Sequence, residues 1–478
     1  MKTLFLSINS QYIHTLLAPR YLVSNSEELV EILETNVNIN LDKLIEEIVI
    51  KKPDVIAISC YIFNIKFVRI LLPILKEKLP DCKIIMGGYE VAFDEDRYLN
   101  MVDYIIKGEG DFVFGQLLTS IKLGDKKFDK IIEVGTVKNL DDIITPYTKE
   151  YSLLGKTKIL YMETTRGCPF HCSYCMSANT NGVRSFSLER VISDLDILMS
   201  ENPKQIKMVD RTFNYNIKRA TEIFRYIIDK FGSSGTNFHF EMAPELFNDE
   251  MLDVVKSAPM GLFQFEIGVQ SYNKDTLKAV CRVANLDRID YNLKNLVEMG
   301  NMHIHTDLIA GLPFESLESF KKGFDRLFLI FTDCVQLGFL KILKGSVIYD
   351  ERSDFVINDK PPYQVISNDY ITKEEMEELM QMEQMLGLYY NSRRFVDTMR
   401  LLIPKYFPPY QFFYEISKYF EENNLTKRGM SAYYQCEHLY NFVRKSLGDN
   451  LDDNLLMNTI NNDYRNSGNT RKWRRHLD

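Results

Sequence analysis

Three of the chain's eight cysteines, Cys168, Cys172 and Cys175, stand within eight positions of one another in TTRGCPFHCSYCMS, residues 164–177. A closed structural metal site normally takes four protein ligands, whereas a reactive one keeps a coordination position open for substrate or solvent. Three clustered thiolates therefore point to an open site. Cys60, Cys82, Cys281, Cys334 and Cys436 are isolated and form no second close pair that would supply a fourth ligand. A chance cluster and a zinc knuckle completed by His171 are the competing readings. Where thiols stay reduced, such a cluster is metal-binding or catalytic and not a disulfide framework.

A reactive loop needs a rigid element behind it. From Lys158 the chain alternates strands, near 158–163, 205–210, 237–242, 262–268, 303–308 and 335–341, with helical patterns such as 186–200, 216–230 and 316–330. Six strand–helix units in series predict a parallel sheet curling into a partial barrel, whose chemistry sits on loops at the strands' C-terminal ends. The cysteine loop follows the first of these strands. Asp210 and Glu241 end the second and third strands, each open to a ligand-binding or a structural role. Lys341 and Lys344 fall near the end of the sixth, as substrate contacts or surface charges.

The first 120 residues show a second alternation, with strands at TLFLSI (3–8), DVIAIS (54–59), KIIMG (83–87) and YIIKG (104–108). Leu41, Leu44, Ile45, Ile48 and Val49 recur as one apolar helix face. This is the pattern of a doubly wound parallel sheet, in which ligands lie beyond the carboxyl ends of the strands. Those ends carry Ser10, Tyr12 and His14; Ser59 and Tyr61; Gly87, Gly88 and Glu90; and Gly108, Glu109 and Gly110. The glycines serve either as turn formers or to let backbone approach a large ligand. Residues 122–156 read as a connection. Beyond about 360 the strand signal gives way to a helical, Met- and Tyr-rich region whose Met376, Met380, Met382 and Met385 read as core. The expected division is 1–145, 146–358 and 359–478, an α/β chain with a helical C-terminal domain.

With Tyr174 before its last cysteine, the Cys-x3-Cys-x2-Cys loop resembles the signature of the radical S-adenosylmethionine (SAM) superfamily. The resemblance implies that Cys168, Cys172 and Cys175 hold three irons of a 4Fe–4S cluster while SAM chelates the fourth, so that the missing ligand is the cosubstrate. FEIGVQSYNKDTLKAVCR (265–282) and TDLIAGLPFES (306–316) resemble the family's fourth- and fifth-strand segments. By that resemblance Gln270 bonds the ribose hydroxyls, Arg282 the SAM carboxylate, Asp307 lies near the ribose and Gly311 under the adenine. Tyr174, Asp210 and Glu241 complete the expected SAM contacts. A doubly wound domain before such a barrel resembles the cobalamin-binding, class B methylase-like subfamily, which places cobalamin on the first domain's strand-end residues named above. The Asp-x-His-x-x-Gly motif that puts a protein histidine on cobalt is absent, so His14 reads as a pocket or core histidine.

The activity implied is a methyltransferase acting on a carbon centre through a 5′-deoxyadenosyl radical and methylcobalamin, with a cobalamin-assisted rearrangement or cyclisation as runner-up. A cobalamin sensor would need no iron–sulfur site. A tRNA methylthiotransferase would need a second three-cysteine cluster, but only Cys60 and Cys82 lie in the first domain. A one-electron reductant such as flavodoxin or ferredoxin is expected, acting on a monomer. The substrate is left open among small molecule, peptide and RNA. At 478 residues with a formal net charge of -8, the chain is long enough for two or three domains and too acidic for broad adhesion to nucleic acid. The basic stretch TRKWRRH, residues 470–476, is a solvated end or a local phosphate or RNA contact. No run of about 18 uncharged apolar residues and no signal peptide are read, which predicts a cytoplasmic protein without a membrane partner.

Overall fold

In a computed structural model of the full chain, residues 1–180, 182–426, 429–469 and 473 are described. The expected role of the basic tail falls outside them except at Trp473. Among the described residues no helix is long and apolar enough to cross a membrane. The chain forms two compact units. The first comprises Met1–Gln264, Lys341–Arg352 and Asn358–Gln364, and the second Phe265–Leu340, Ser353–Ile357 and Val365–Asp478.

The first unit opens with a six-stranded sheet: β1 (Thr3–Asn9), β2 (Val30–Asn36), β3 (Val55–Ser59), β4 (Lys83–Gly87), β5 (Tyr104–Lys107) and β6 (Ile131–Glu133), in the order β2-β1-β3-β4-β5-β6. All its pairings are parallel. Both faces are covered, which is why β1 and β3 are buried along their whole length. Leu4, Leu6, Ile8, Ile56 and Ile58 pack on one face with the helices Leu41–Lys51 and Ile65–Lys78. Phe5, Ala57 and Ile85 alternate to the other face, against Phe114, Leu117 and Leu118 of the helix Val113–Leu123. Two strands escape the sequence reading. β2 is a half-exposed edge, with Glu34 accepting from Arg20 and Lys158, and β6 is only three residues long within the stretch read as a connection.

The same unit continues with β7 (Leu160–Met162), the antiparallel pair β8 (Thr165–Gly167) and β9 (Val183–Ser185), then β10 (Gln205–Met208) and β11 (Asn237–Met242). β10 lies parallel to both β7 and β11. The division between units falls inside β12 (Phe263–Gln270). The second unit holds the rest of β12, then β13 (His303–Ala310) and β14 (Cys334–Phe339), the last two parallel. Helices Leu188–Met199, Ile217–Phe231, Asp249–Lys256, Leu286–Met299 and Leu317–Phe328 separate these strands in turn, each burying one apolar stripe. This alternation is the partial (βα)6 barrel expected, following a Rossmann-like sheet.

The C-terminal region adds a short antiparallel pair, β15 (Phe355–Ile357) and β16 (Val365–Asn368), and is otherwise helical. The helix Lys373–Leu386 starts at a capping box, Thr372 accepting from the Glu375 N–H and Glu375 from that of Thr372. Met376, Met382 and Met385 are fully buried and Met380 half-buried, which agrees with the core reading.

Candidate functional site

The cysteine loop is closed at its base by the β8–β9 hairpin. Gly167 stands at φ 101°, and a Cβ there would fall 2.1 Å from the Gly182 carbonyl oxygen, so the closure requires glycine. Cys168 and Cys172 are 8% and 6% exposed, and Cys175 is half-buried beside the half-buried Tyr174. The Cys175 N–H donates to the Cys172 carbonyl at 2.9 Å, turning the chain between them. Cys168 Sγ lies 3.6 Å from Thr212 Oγ1, beyond the end of β10. None of the eight cysteines is joined in a disulfide. Burial pushes the Cys60 thiol well up, Cys334 and Cys436 up to about 12 and Cys82 up to about 11. A metal-binding thiol must give up its proton, so these four are poor donors. Cys281 is exposed and has no neighbouring cysteine in sequence, whereas the loop brings three into one turn of chain. Among the described residues no three His, Cys, Asp or Glu side chains gather as ligands of a single metal ion.

Asp210 is fully buried, and burial raises its pKa. Its oxygens accept from the Thr164 N–H (3.0 Å), the Thr164 hydroxyl (2.5 Å) and the Thr165 hydroxyl (2.6 Å), so it fixes the chain between β7 and the cysteine loop. Glu241 is half-buried near the end of β11.

Beyond the carboxyl ends of the first sheet lies a cavity of about 790 Å3. Its place fits the topology: the strand order reverses between β1 and β3, the crevice where such sheets bind ligands. Of the eleven strand-end residues singled out, Ser10, His14, Ser59, Tyr61, Gly87, Gly88, Gly108, Glu109 and Gly110 line it. Tyr12 and Glu90 do not. Tyr12 is 67% exposed with Lys158 over its ring, while Glu90 accepts from the Tyr363 hydroxyl at 3.1 Å. The far wall comes from the start of the barrel, with Tyr161, Glu163, Thr165, Arg166 and Gly167, and from Ser177, Asn179 and Thr180 of the cysteine loop.

Gly88 and Gly108 have φ of 97° and 102°, and a Cβ would lie 2.3 Å from the Cys60 oxygen or 2.0 Å from the Val134 oxygen. Their conformations are thus required by neighbouring backbone. His14 Nδ1 lies 2.8 Å from the Tyr161 hydroxyl, and burial, with the charge of Lys207, holds its pKa below the usual value. A neutral pocket histidine is the result. The stacked rings of Tyr61 and Phe63, 5.1 Å apart, and of Tyr89 and Phe93 give the cavity flat apolar walls. Asn9, which the sequence reading passed over, lines the cavity with a buried Oδ1 that has no hydrogen-bond partner. Flat walls, a volume within the roughly 300–1,000 Å3 range of ligand pockets and an orphaned acceptor fit a large, planar, amide-bearing ligand such as a corrinoid.

In the second unit Gln270 ends β12 at φ 71°, with a buried Oε1 that lacks a hydrogen-bond partner. Arg282 Nη2 donates to the Gly268 carbonyl, which draws the guanidinium alongside β12. Asp307 Oδ1 is 3.4 Å from His305 Nε2 on β13. Gly311, φ 87°, meets the Met376 methyl where a Cβ would be. Glu315, not singled out from the sequence, accepts from the Ser271 hydroxyl at 2.6 Å, and burial pushes its pKa up to about 7. Lys344 belongs to the first unit, where it binds Asp94 at 2.6 Å; Lys341 is exposed.

Three family profiles match the chain: a B12 binding domain over residues 10–118, the radical SAM superfamily over 162–327, and a protein family of unknown function (DUF4080) over 351–478. The chain thus carries a segment that matches the B12 binding domain, followed by one that matches the radical SAM superfamily. Its cofactors are accordingly a 4Fe–4S cluster, SAM and cobalamin. It is 26% identical over 313 residues to the cobalamin-dependent radical SAM methyltransferase TokK of Streptomyces tokunonensis, covering 58% of this chain and 45% of that one. It is 25% identical over 320 residues to 2-(S-pantetheinyl)-carbapenam-3-carboxylate methyltransferase of Streptantibioticus cattleyicolor, with the same coverage. The chain thus spans under half the length of these curated relatives. In fold it resembles the cobalamin-dependent SAM radical enzyme OxsB with aqua-cobalamin bound, with a TM-score of 0.65 at 15% identity over 98% of this chain and 84% of that one. It also resembles the radical SAM methyltransferase TsrM from Kitasatospora setae, with a TM-score of 0.60 at 14% identity over 76% and 78%.

Proposed function

We propose that the protein is a cobalamin-dependent radical SAM methyltransferase acting on a carbon centre. The observation that carries this reading is the shared wall: the cavity beyond the first sheet is bounded on its far side by the β7 end and by Ser177, Asn179 and Thr180 of the cysteine loop. A corrinoid there would lie against the loop that holds the cluster. When bound, the cofactors supply one-electron cleavage of SAM and a transferable methyl group.

The residues supply placement. Cys168, Cys172 and Cys175 anchor the cluster, with Asp210 acting through Thr164 and Thr165 to hold the chain that leads into their loop. The residues assigned to SAM are Tyr174 and Glu241 in the first unit and Gln270, Arg282, Asp307 and Gly311 in the second. The nine cavity-lining strand-end residues and Asn9 cradle cobalamin, with Tyr12 and Glu90 outside that wall. Residues 1–145, 146–358 and 359–478 serve as the cobalamin, radical SAM and helical domains. The protein works as a cytoplasmic monomer, drawing electrons from a flavodoxin- or ferredoxin-like donor. Its substrate is a small molecule, a peptide or an RNA.

The test needs no substrate. Protein reconstituted anaerobically with cobalamin, a low-potential reductant and SAM labelled in its methyl group should pass label into the corrinoid and release S-adenosylhomocysteine. Slow release of 5′-deoxyadenosine should be seen and should vanish in Cys172→Ala together with the cluster's absorption. A protein that binds all three cofactors but never labels the corrinoid is not a methyltransferase.

A further inference from the structure

One guanidinium spans the two sides of the cavity. Arg166 Nη1 and Nη2 donate to the two oxygens of Asp111 at 2.7 and 2.9 Å, and its Nε lies 3.1 and 3.2 Å from those of Glu163. Nη1 is also 3.5 Å from Glu109, and the group sits 5.2 Å from the centre of the Tyr21 ring. Glu109 in turn holds Arg184 of β9, the other strand of the hairpin that closes the cysteine loop. All six side chains line the cavity, and Asp111 is 4% exposed. Buried ion networks of this kind add little net stability over apolar packing, yet losing one member leaves a charge stranded. They fix geometry.

We infer that Arg166 is a positioning residue that couples the two cofactor sites. A ligand filling the cavity settles the segment 108–111, and with it the Asp111 carboxylate. The two-pronged bond then gives the guanidinium one orientation, which a single-point contact would not. Only Gly167, its backbone set by the hairpin, separates Arg166 from Cys168, so the orientation carries into the cysteine loop. Coupling between binding sites is reciprocal: the cluster must favour the corrinoid by the factor with which the corrinoid favours the cluster. The inference rests on the proposed function, since it presumes that both cofactors bind here.

The experiment compares hydroxocobalamin affinity in full-length anaerobic protein, by absorbance titration, before and after a chelator has stripped the iron. The wild-type protein should bind at least about fivefold more tightly with its cluster, the lower end of usual coupling. Bound hydroxocobalamin should also slow the stripping. In Arg166→Lys, which keeps the charge but not the fork, the ratio should fall to about one while both cofactors still bind. Should that variant fail to hold a cluster, Asp111→Asn decides by the same ratio, because it leaves β7, β8 and the cysteine loop unaltered. A wild-type ratio of one, or an undiminished ratio in the variant, overturns the coupling alone. A wild-type protein that takes up no corrinoid or no cluster overturns the proposed function instead.

Discussion

Glu315 is 2% exposed, with one oxygen on the Ser271 hydroxyl and the other without a hydrogen-bond partner. Burial raises its pKa from 4.5 to about 7, so between those values the folded protein holds a proton that the unfolded chain releases. The stability it contributes is complete below about pH 4.5 and is lost as the pH climbs through 7. Glu315→Gln keeps the acceptor for Ser271 and removes the ionisation. Melting of the variant should match wild type at pH 5 and exceed it at pH 8.5, by up to roughly 3 kcal/mol from a shift of this size. An equal difference at both pH values would refute the assignment. Neither this residue nor Arg166 was legible in advance, since their partners lie 44 and 55 positions away. The three cysteines were legible because a whole ligand set sits in one loop.

Strands with both faces covered announce themselves, and β1, β3 and β4 were read to within a residue or two. An edge strand with acids on it, such as β2, and a three-residue strand, such as β6, carry too little apolar signal, although β6 adjoins the cavity through Val134, Gly135 and Thr136. Its docking is testable through Gly108. The alanine Cβ would meet the Val134 oxygen at a φ that alanine resists, a strain of about 2–4 kcal/mol. Gly108→Ala should therefore lower the melting temperature and weaken hydroxocobalamin binding together. Gly135→Ala, whose added carbon meets nothing within 4 Å, should leave melting nearly unchanged. Equal melting of the two variants would show that β6 does not constrain this turn.

Two successive strand–helix alternations made both α/β regions readable, because each repeat is written locally. The return of 341–352 and 358–364 to the first unit was not, since it depends on single long-range contacts. Lys344 reaches Asp94, Asn179 donates to the Gly345 carbonyl at 2.5 Å, the Ile348 N–H donates to the Ser173 carbonyl, and the Tyr363 hydroxyl bonds Arg69 and Glu90. These contacts set an order of assembly. Because the ribosome builds from the N-terminus, the first unit waits for residue 364, by which point every strand of the second except β16 has already been made. Nascent chains stalled at residue 340 should accordingly be cut by protease within 60–110 and 170–180 at sites the finished protein shields. Equal resistance of stalled and finished chains would mean that the first unit matures without its late-arriving segments.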